Sequence, residues 1–234
     1  MKLTPCLLLL LALAPIASEA QEAPVPNEPR HTNVYKSTFE KKFEIDMWSE
    51  VKFGKAPDGT RFLGPFLDKK SLYQTLPKLP PHRYVRLRFD LFVLYSWDGE
   101  KFKNGRDTWH VSVEGGPLLF CTLFSNKIKV VAPNRVKRGD QANMPTLQSF
   151  PDEYPLLAHK FSTGSAPQKA AKLGFEFARD DLEIESSVYE IDLIFPHTGE
   201  DLTLIYSGHL SNHPIDEHWG LNNVVIDTID TETP

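Results

Sequence analysis

The chain has 234 residues, 41% of them hydrophobic, and a formal net charge of −5. That length supports one domain with a substantial core, and the mild acidity argues against nucleic acid or an anionic membrane surface as a partner. The basic clusters, Lys41-Lys42, Lys69-Lys70 and Arg135 to Arg138, read as solvated loops.

Residues 1–20 read as a cleavable secretory signal. Lys2 supplies the positive start and Leu7–Leu11 the apolar centre. Pro15 breaks the helix, and Ser18 and Ala20 are the small residues that a signal peptidase needs. The run is shorter than the ~20 apolar residues of a spanning helix. The mature protein is therefore expected to begin near Gln21, to carry no membrane insertion and to reside in the periplasm or outside the cell. Of the two cysteines, Cys6 leaves with the signal and Cys121 remains alone, so no intrachain disulfide is expected. Cys121 lies in an apolar run, Leu118 to Phe124, and is expected to be a buried, inert thiol.

Residues 21–37, with Pro24, Pro26 and Pro29, read as a disordered leader. The folded domain is expected over 38–230, followed by a short tail, 231–234. Within it, Val85 to Leu94 alternates clearly and is the strongest strand. Trp109–Glu114, Leu118–Phe124, Val188–Phe195, Leu202–Ser207 and Leu221–Ile229 follow, with Pro and Gly in the gaps. Ser165 to Lys172 suggests a short helix and Gly174–Phe177 an embedded strand. The stretch Asn126–Ser187 otherwise carries few strand signals. Short strands around one core imply an all-β, antiparallel sandwich.

Three constellations are candidates for chemistry. The turn Ser96-Trp97-Asp98-Gly99 and the segment Gly105-Arg106-Asp107-Thr108-Trp109 would bring Asp98 and Asp107 to one end of the sandwich. Asp216-Glu217-His218-Trp219-Gly220-Leu221-Asn222-Asn223 leads into the last strand. Carboxylates and amide oxygens in strand-end loops suit a hard cation, so calcium is expected on Asp98, Asp107, Asp216, Glu217 and Asn223; the same residues are also ordinary turn formers. A disulfide-free exported domain needs another brace, which adds to the case for structural calcium. The third constellation, Glu44-Ile45-Asp46-Met47-Trp48-Ser49-Glu50, resembles the acidic strand of retaining β-glucanases. Glu44 and Asp46 would share a strand face, but Glu50 lies too far along to complete it. Glu190-Ile191-Asp192 repeats the pattern without a third acid. Of the four tryptophans, Trp97 is the best candidate for an exposed sugar-stacking face. Trp109 is expected to point inward and Trp219 to pack beneath its loop. With Asp98 and Asp107, Trp97 and Trp219 form the expected ligand-binding set.

Taken in order, Arg61-Phe62-Leu63-Gly64, Leu79-Pro80-Pro81-His82, Phe89-Asp90-Leu91-Phe92, Ser96-Trp97-Asp98-Gly99, Asp107-Thr108-Trp109, Phe124-Ser125-Asn126 and the Asp216–Asn223 segment resemble a poorly characterised bacterial module of secreted and surface-anchored proteins. The resemblance implies a jelly-roll sandwich of galactose-binding-like or concanavalin-like, lectin-like kind, with no catalytic activity attached. In that module the last motif ends in Leu-Asp-Asn, whereas Leu221-Asn222-Asn223 stands here, one charge fewer for any bound ion. Related jelly rolls hold calcium between an early acidic residue and the final strand, which implies a role for Glu40. The expected function is non-catalytic binding of carbohydrate or another envelope component. The rivals are a polysaccharide-cleaving hydrolase with a lectin-like fold and a structural or adhesive envelope protein.

Overall fold

The computed structural model describes residues 29–41, 45–67, 70–95, 97, 108–124, 126–130, 169–179, 182–210 and 217–230. Among them are twelve strands: β1 (Arg30–Ser37), β2 (Phe53–Lys55), β3 (Arg61–Phe66), β4 (Ser71–Leu76), β5 (Tyr84–Tyr95), β6 (Thr108–Val113), β7 (Leu118–Leu123), β8 (Lys127–Val130), β9 (Lys169–Arg179), β10 (Leu182–Pro196), β11 (Leu202–His209) and β12 (Glu217–Asp230). They form two antiparallel sheets. The smaller has the order β4-β11-β6-β7. The larger runs β2-β3-β12-β5-β10-β8, with β1 on β12 and β9 on β10. β12 pairs with β5 along nearly its whole length. Its other edge is therefore shared, β3 taking Trp219 and Leu221 and β1 taking Val224 to Asp230.

Period-two alternation builds the core. Val85, Leu87, Phe89, Leu91 and Val93 of β5 face inward and are buried, while Arg86, Arg88 and Asp90 face out. Leu72, Gln74, Leu76, Leu202, Leu204 and Tyr206 answer them from the smaller sheet. Aromatic rings fill the centre: Trp109 lies 5.4 Å from Phe89, 5.9 Å from Trp219 and 6.3 Å from Tyr206 between ring centroids. The buried phenol of Tyr206 donates to Gln74 Oε1 at 2.8 Å, and burial raises its pKa well above the ordinary value. Trp48, expected within an acidic strand, donates its indole N–H to the Tyr35 hydroxyl at 2.8 Å.

Several expectations are corrected. Arg30–Ser37, placed in the leader, is β1. Its backbone pairs with the free edge of β12 from Arg30↔Asp230 to Ser37↔Val224, and only Tyr35 and Ser37 are buried. Residues 169–172 of the expected short helix belong to β9, paired with β10, while 165–168 lie outside the described residues. β8, β9 and the first residues of β10 occupy part of the stretch expected to be poor in strands. Ile45–Met47 is one 3-10 turn rather than a strand. Asp46 is therefore not held on an extended face; Glu44 lies outside the described residues.

β12 also carries a bulge between Asn222 and Val225, opposite Asp90 and Arg88. Asn223 absorbs it with φ +48°, and its amide donates to Asp90 Oδ2. Asn tolerates this left-handed region, whereas a β-branched residue does not. Asn223→Val is expected to cost about 1–3 kcal/mol, read as a shift in denaturation midpoint. Asn223→Gly should keep the backbone and lose only the exposed side-chain contact.

Candidate functional site

Four strand ends meet at one pole of the sandwich. β5 ends at Tyr95, paired with Glu217 at the start of β12. β6 starts at Thr108, paired with His209 at the end of β11. The connections 96–107 and 210–216, which hold Asp98, Asp107 and Asp216, thus spring from neighbouring strand ends in each sheet. Those three aspartates themselves lie outside the described residues.

The base of the pole is built from residues that the motifs only partly foretold. Alternation would point Tyr95 inward beside Val93. Its φ of +69° turns the side chain to the outer face instead. There it meets His218 at 5.2 Å and packs on the outer cluster of Phe62, Phe92 and Leu94. The Phe62 ring spans that face because Gly54 and Gly220 leave room: a Cβ on either would come within 2.2 and 2.5 Å of the ring, respectively. The unusual backbone is held from three sides. Tyr95 N–H donates to Ser186 Oγ at 3.0 Å. Asn126, fully buried, donates its amide to the carbonyls of Val93 at 2.9 Å and Tyr95 at 2.7 Å. Asn126 N–H donates to the Trp97 carbonyl at 2.7 Å. A left-handed non-glycine residue fixed by so many partners is the kind of local strain that accumulates at functional sites.

Trp97 is a correction. Expected to be exposed, it is 0% exposed. Its indole N–H donates to the His218 carbonyl at 2.7 Å and its ring meets Phe124 edge-on at 6.1 Å. Burial satisfies both parts of the side chain at once, apolar face and polar tip, and it stitches the end of β5 to the start of β12. Trp219 is buried too, as the packing reading expected, with Phe66 at 4.8 Å. Neither ring leaves a face for a sugar.

The expected calcium set also divides. Glu217 is buried at the pole, 2% exposed, on the same face of β12 as Trp219 and Leu221. Asn223 lies six residues further along an extended strand, about 20 Å away. One ion with ligands at ~2.3–2.6 Å cannot touch both. Glu40 is remote as well: its carboxylate accepts the Arg61 N–H at 2.7 Å, at the start of β3, whose Leu63 pairs with Leu221 in mid-strand. Asn223 and Glu40 are therefore removed from the pole set. Among the described residues no group of three or more His, Cys, Asp or Glu is arranged to hold a metal ion.

The remaining reactive groups have other settings. Asp192, from the second acidic repeat, accepts from Arg86 Nε at 2.8 Å and from its terminal nitrogen at 2.5 Å. That bond holds the carboxyl pKa below its ordinary value. Cys121 is half-buried, not fully buried as expected, and burial raises its thiol pKa. It pairs in register with His110, whose pKa is lowered by burial and then by His209. A raised thiol beside a neutral imidazole is the reverse of an activated cysteine.

A scan against protein-family models, a search of curated proteins and a search of solved structures each return no match.

Proposed function

We propose that this chain is a secreted or periplasmic, non-catalytic domain of jelly-roll type, galactose-binding-like or concanavalin-like. It binds an extracellular carbohydrate or another envelope component at the pole described above. Calcium braces the loops there, through Glu217 together with Asp98, Asp107 and Asp216. One observation carries the reading. The register sets Tyr95 opposite Glu217 and Thr108 opposite His209, so both acid-bearing connections begin at the same end of a rigid sandwich. A rigid scaffold with variable strand-end loops is the usual way a β-sandwich positions a ligand.

The cation is tested by thermal melts in calcium and in chelator. Calcium that binds only the folded state raises the midpoint by mass action. The wild-type midpoint should fall in chelator, and Asp107→Ala should lower the calcium midpoint and abolish the difference. An unchanged wild-type midpoint removes the ion. The ligand is tested on a glycan array with calcium present, where an empty array would favour a structural or adhesive role.

A further inference from the structure

The opposite pole holds a pair of histidines that none of the above uses. His82 follows the Pro80-Pro81 turn before β5 and is 6% exposed. His197 follows Pro196 at the end of β10 and is half-buried. His82 Nδ1 lies 2.6 Å from the Pro80 carbonyl, and His82 Nε2 lies 2.8 Å from His197 Nδ1. The ring planes differ by 15° and their centroids are 5.1 Å apart. That spacing matches the hydrogen bond plus the two ring radii, so the rings meet edge to edge in one line rather than face to face.

Counting protons fixes the tautomers. A carbonyl only accepts, so His82 Nδ1 carries hydrogen. A neutral imidazole has one ring hydrogen, so His82 Nε2 is an acceptor. The hydrogen between the rings therefore sits on His197 Nδ1. Both rings are in the Nδ1–H form, and the neutral pair satisfies both bonds. One added proton has a place, on His197 Nε2, and the nearby Asp201 backbone favours the cation. A second has none. It would have to enter on His82 Nε2, setting N–H against N–H across 2.8 Å and one cation against another.

We infer that His82 and His197 form an acid-labile clasp, which holds the turn after β10 against the connection before β5 and parts when both rings are protonated. The clasped segments also share backbone bonds. His197 N–H donates to the Arg83 carbonyl at 3.0 Å and Leu79 N–H to the Glu200 carbonyl at 2.6 Å. Lys78 N–H donates to Asp201 Oδ1 at 3.1 Å. The charged and titratable groups on the packed elements are Lys78, Arg83 and Tyr84 on one side and Glu200 and Asp201 on the other. Asp230 lies at the end of β12, where Arg83 N–H reaches the Ile229 carbonyl, and Arg30 of β1 pairs with Asp230 in register. Burial, followed by the neighbouring His82, lowers the His197 pKa below its ordinary value. The unfolded chain then binds more protons than the folded one. Stability is full above about pH 6.5 and is lost as pH falls from there through the folded pKa.

Long-range nitrogen–proton NMR on the purified protein tests the clasp, with both rings assigned through bonds to the backbone. At ~pH 7.5, where free histidine is neutral, both rings should carry hydrogen on Nδ1. On acidification His197 should take its added proton on Nε2, and as the clasp parts the Leu79 and His197 amide signals should move in step. A hydrogen on Nε2 of either ring at neutral pH overturns the inference, as do Leu79 and His197 amide signals that stay fixed down to ~pH 5. This readout needs no variant. In parallel, the double variant His82→Gln and His197→Gln should lose less of its melting midpoint between ~pH 7.5 and ~pH 5 than wild type; an equal loss counts against the clasp.

Discussion

Trp219→Ala is expected to cost about 3–5 kcal/mol, the upper range for truncating a buried aromatic. The side chain is fully buried between the sheets, against Phe66 on one side and Trp109 on the other. Its indole edge also lies directly over Gly208: a Cβ built there would come within 2.9 Å of Cδ1 and Nε1. Gly208 pairs with Trp109 on β6, so one ring touches the larger sheet, its own strand and two strands of the smaller sheet. Neighbours of that size and from both layers cannot collapse into the space left behind. The measurement is a denaturant titration with the slope held equal to wild type, so that the midpoint shift reports stability alone. A loss below about 1 kcal/mol, the range of ordinary substitutions, would mean that the two sheets do not depend on this ring.

Asn126→Ala is the second large effect, expected at about 2–4 kcal/mol. The amide is the shared donor to the Val93 and Tyr95 carbonyls, the first bond buried and the second partly so. Each buried carbonyl left without a donor costs about 1–3 kcal/mol. Asn126→Asp is isosteric but should be as damaging or worse, because a carboxylate has no N–H to give and faces two carbonyl oxygens. The consequence reaches the pole. Without this brace the left-handed backbone at Tyr95 loses its support, and with it the position of Trp97, whose carbonyl accepts from Asn126 N–H. Denaturation measures the stability loss. Hydrogen exchange at the Glu217 and Trp219 amides, both in the paired start of β12, shows whether opening is local to this end.

The main strands were legible because alternation and burial agree along them. Val85 to Leu94 read correctly, with Tyr84 and Tyr95 as the only additions. β1 was missed because its sequence, Arg-His-Thr-Asn-Val-Tyr-Lys-Ser, buries only two residues and owes its strand to the edge of β12. β9 begins with Lys169-Ala170-Ala171-Lys172, a helical composition that pairing with β10 overrides. At the candidate site, local motif and tertiary setting part company. Asp98-Gly99 made Trp97 look like a turn residue, but a carbonyl 121 positions away takes its N–H. Reading Asp216 to Asn223 as one loop put Glu217 and Asn223 together, and an extended strand holds them apart. The reversal at Tyr95 has no signature in its own residue type. Asn126 was visible only as part of the Phe124-Ser125-Asn126 motif, without its role.

The pole is tested most directly by binding on a glycan array with the purified protein in calcium, repeated in chelator and with Asp107→Ala. Binding is expected in calcium and should be lost under both other conditions, while the variant still melts cooperatively. Binding that survives chelator and substitution unchanged, or no binding under any condition, contradicts a calcium-braced ligand site at this end of the sandwich.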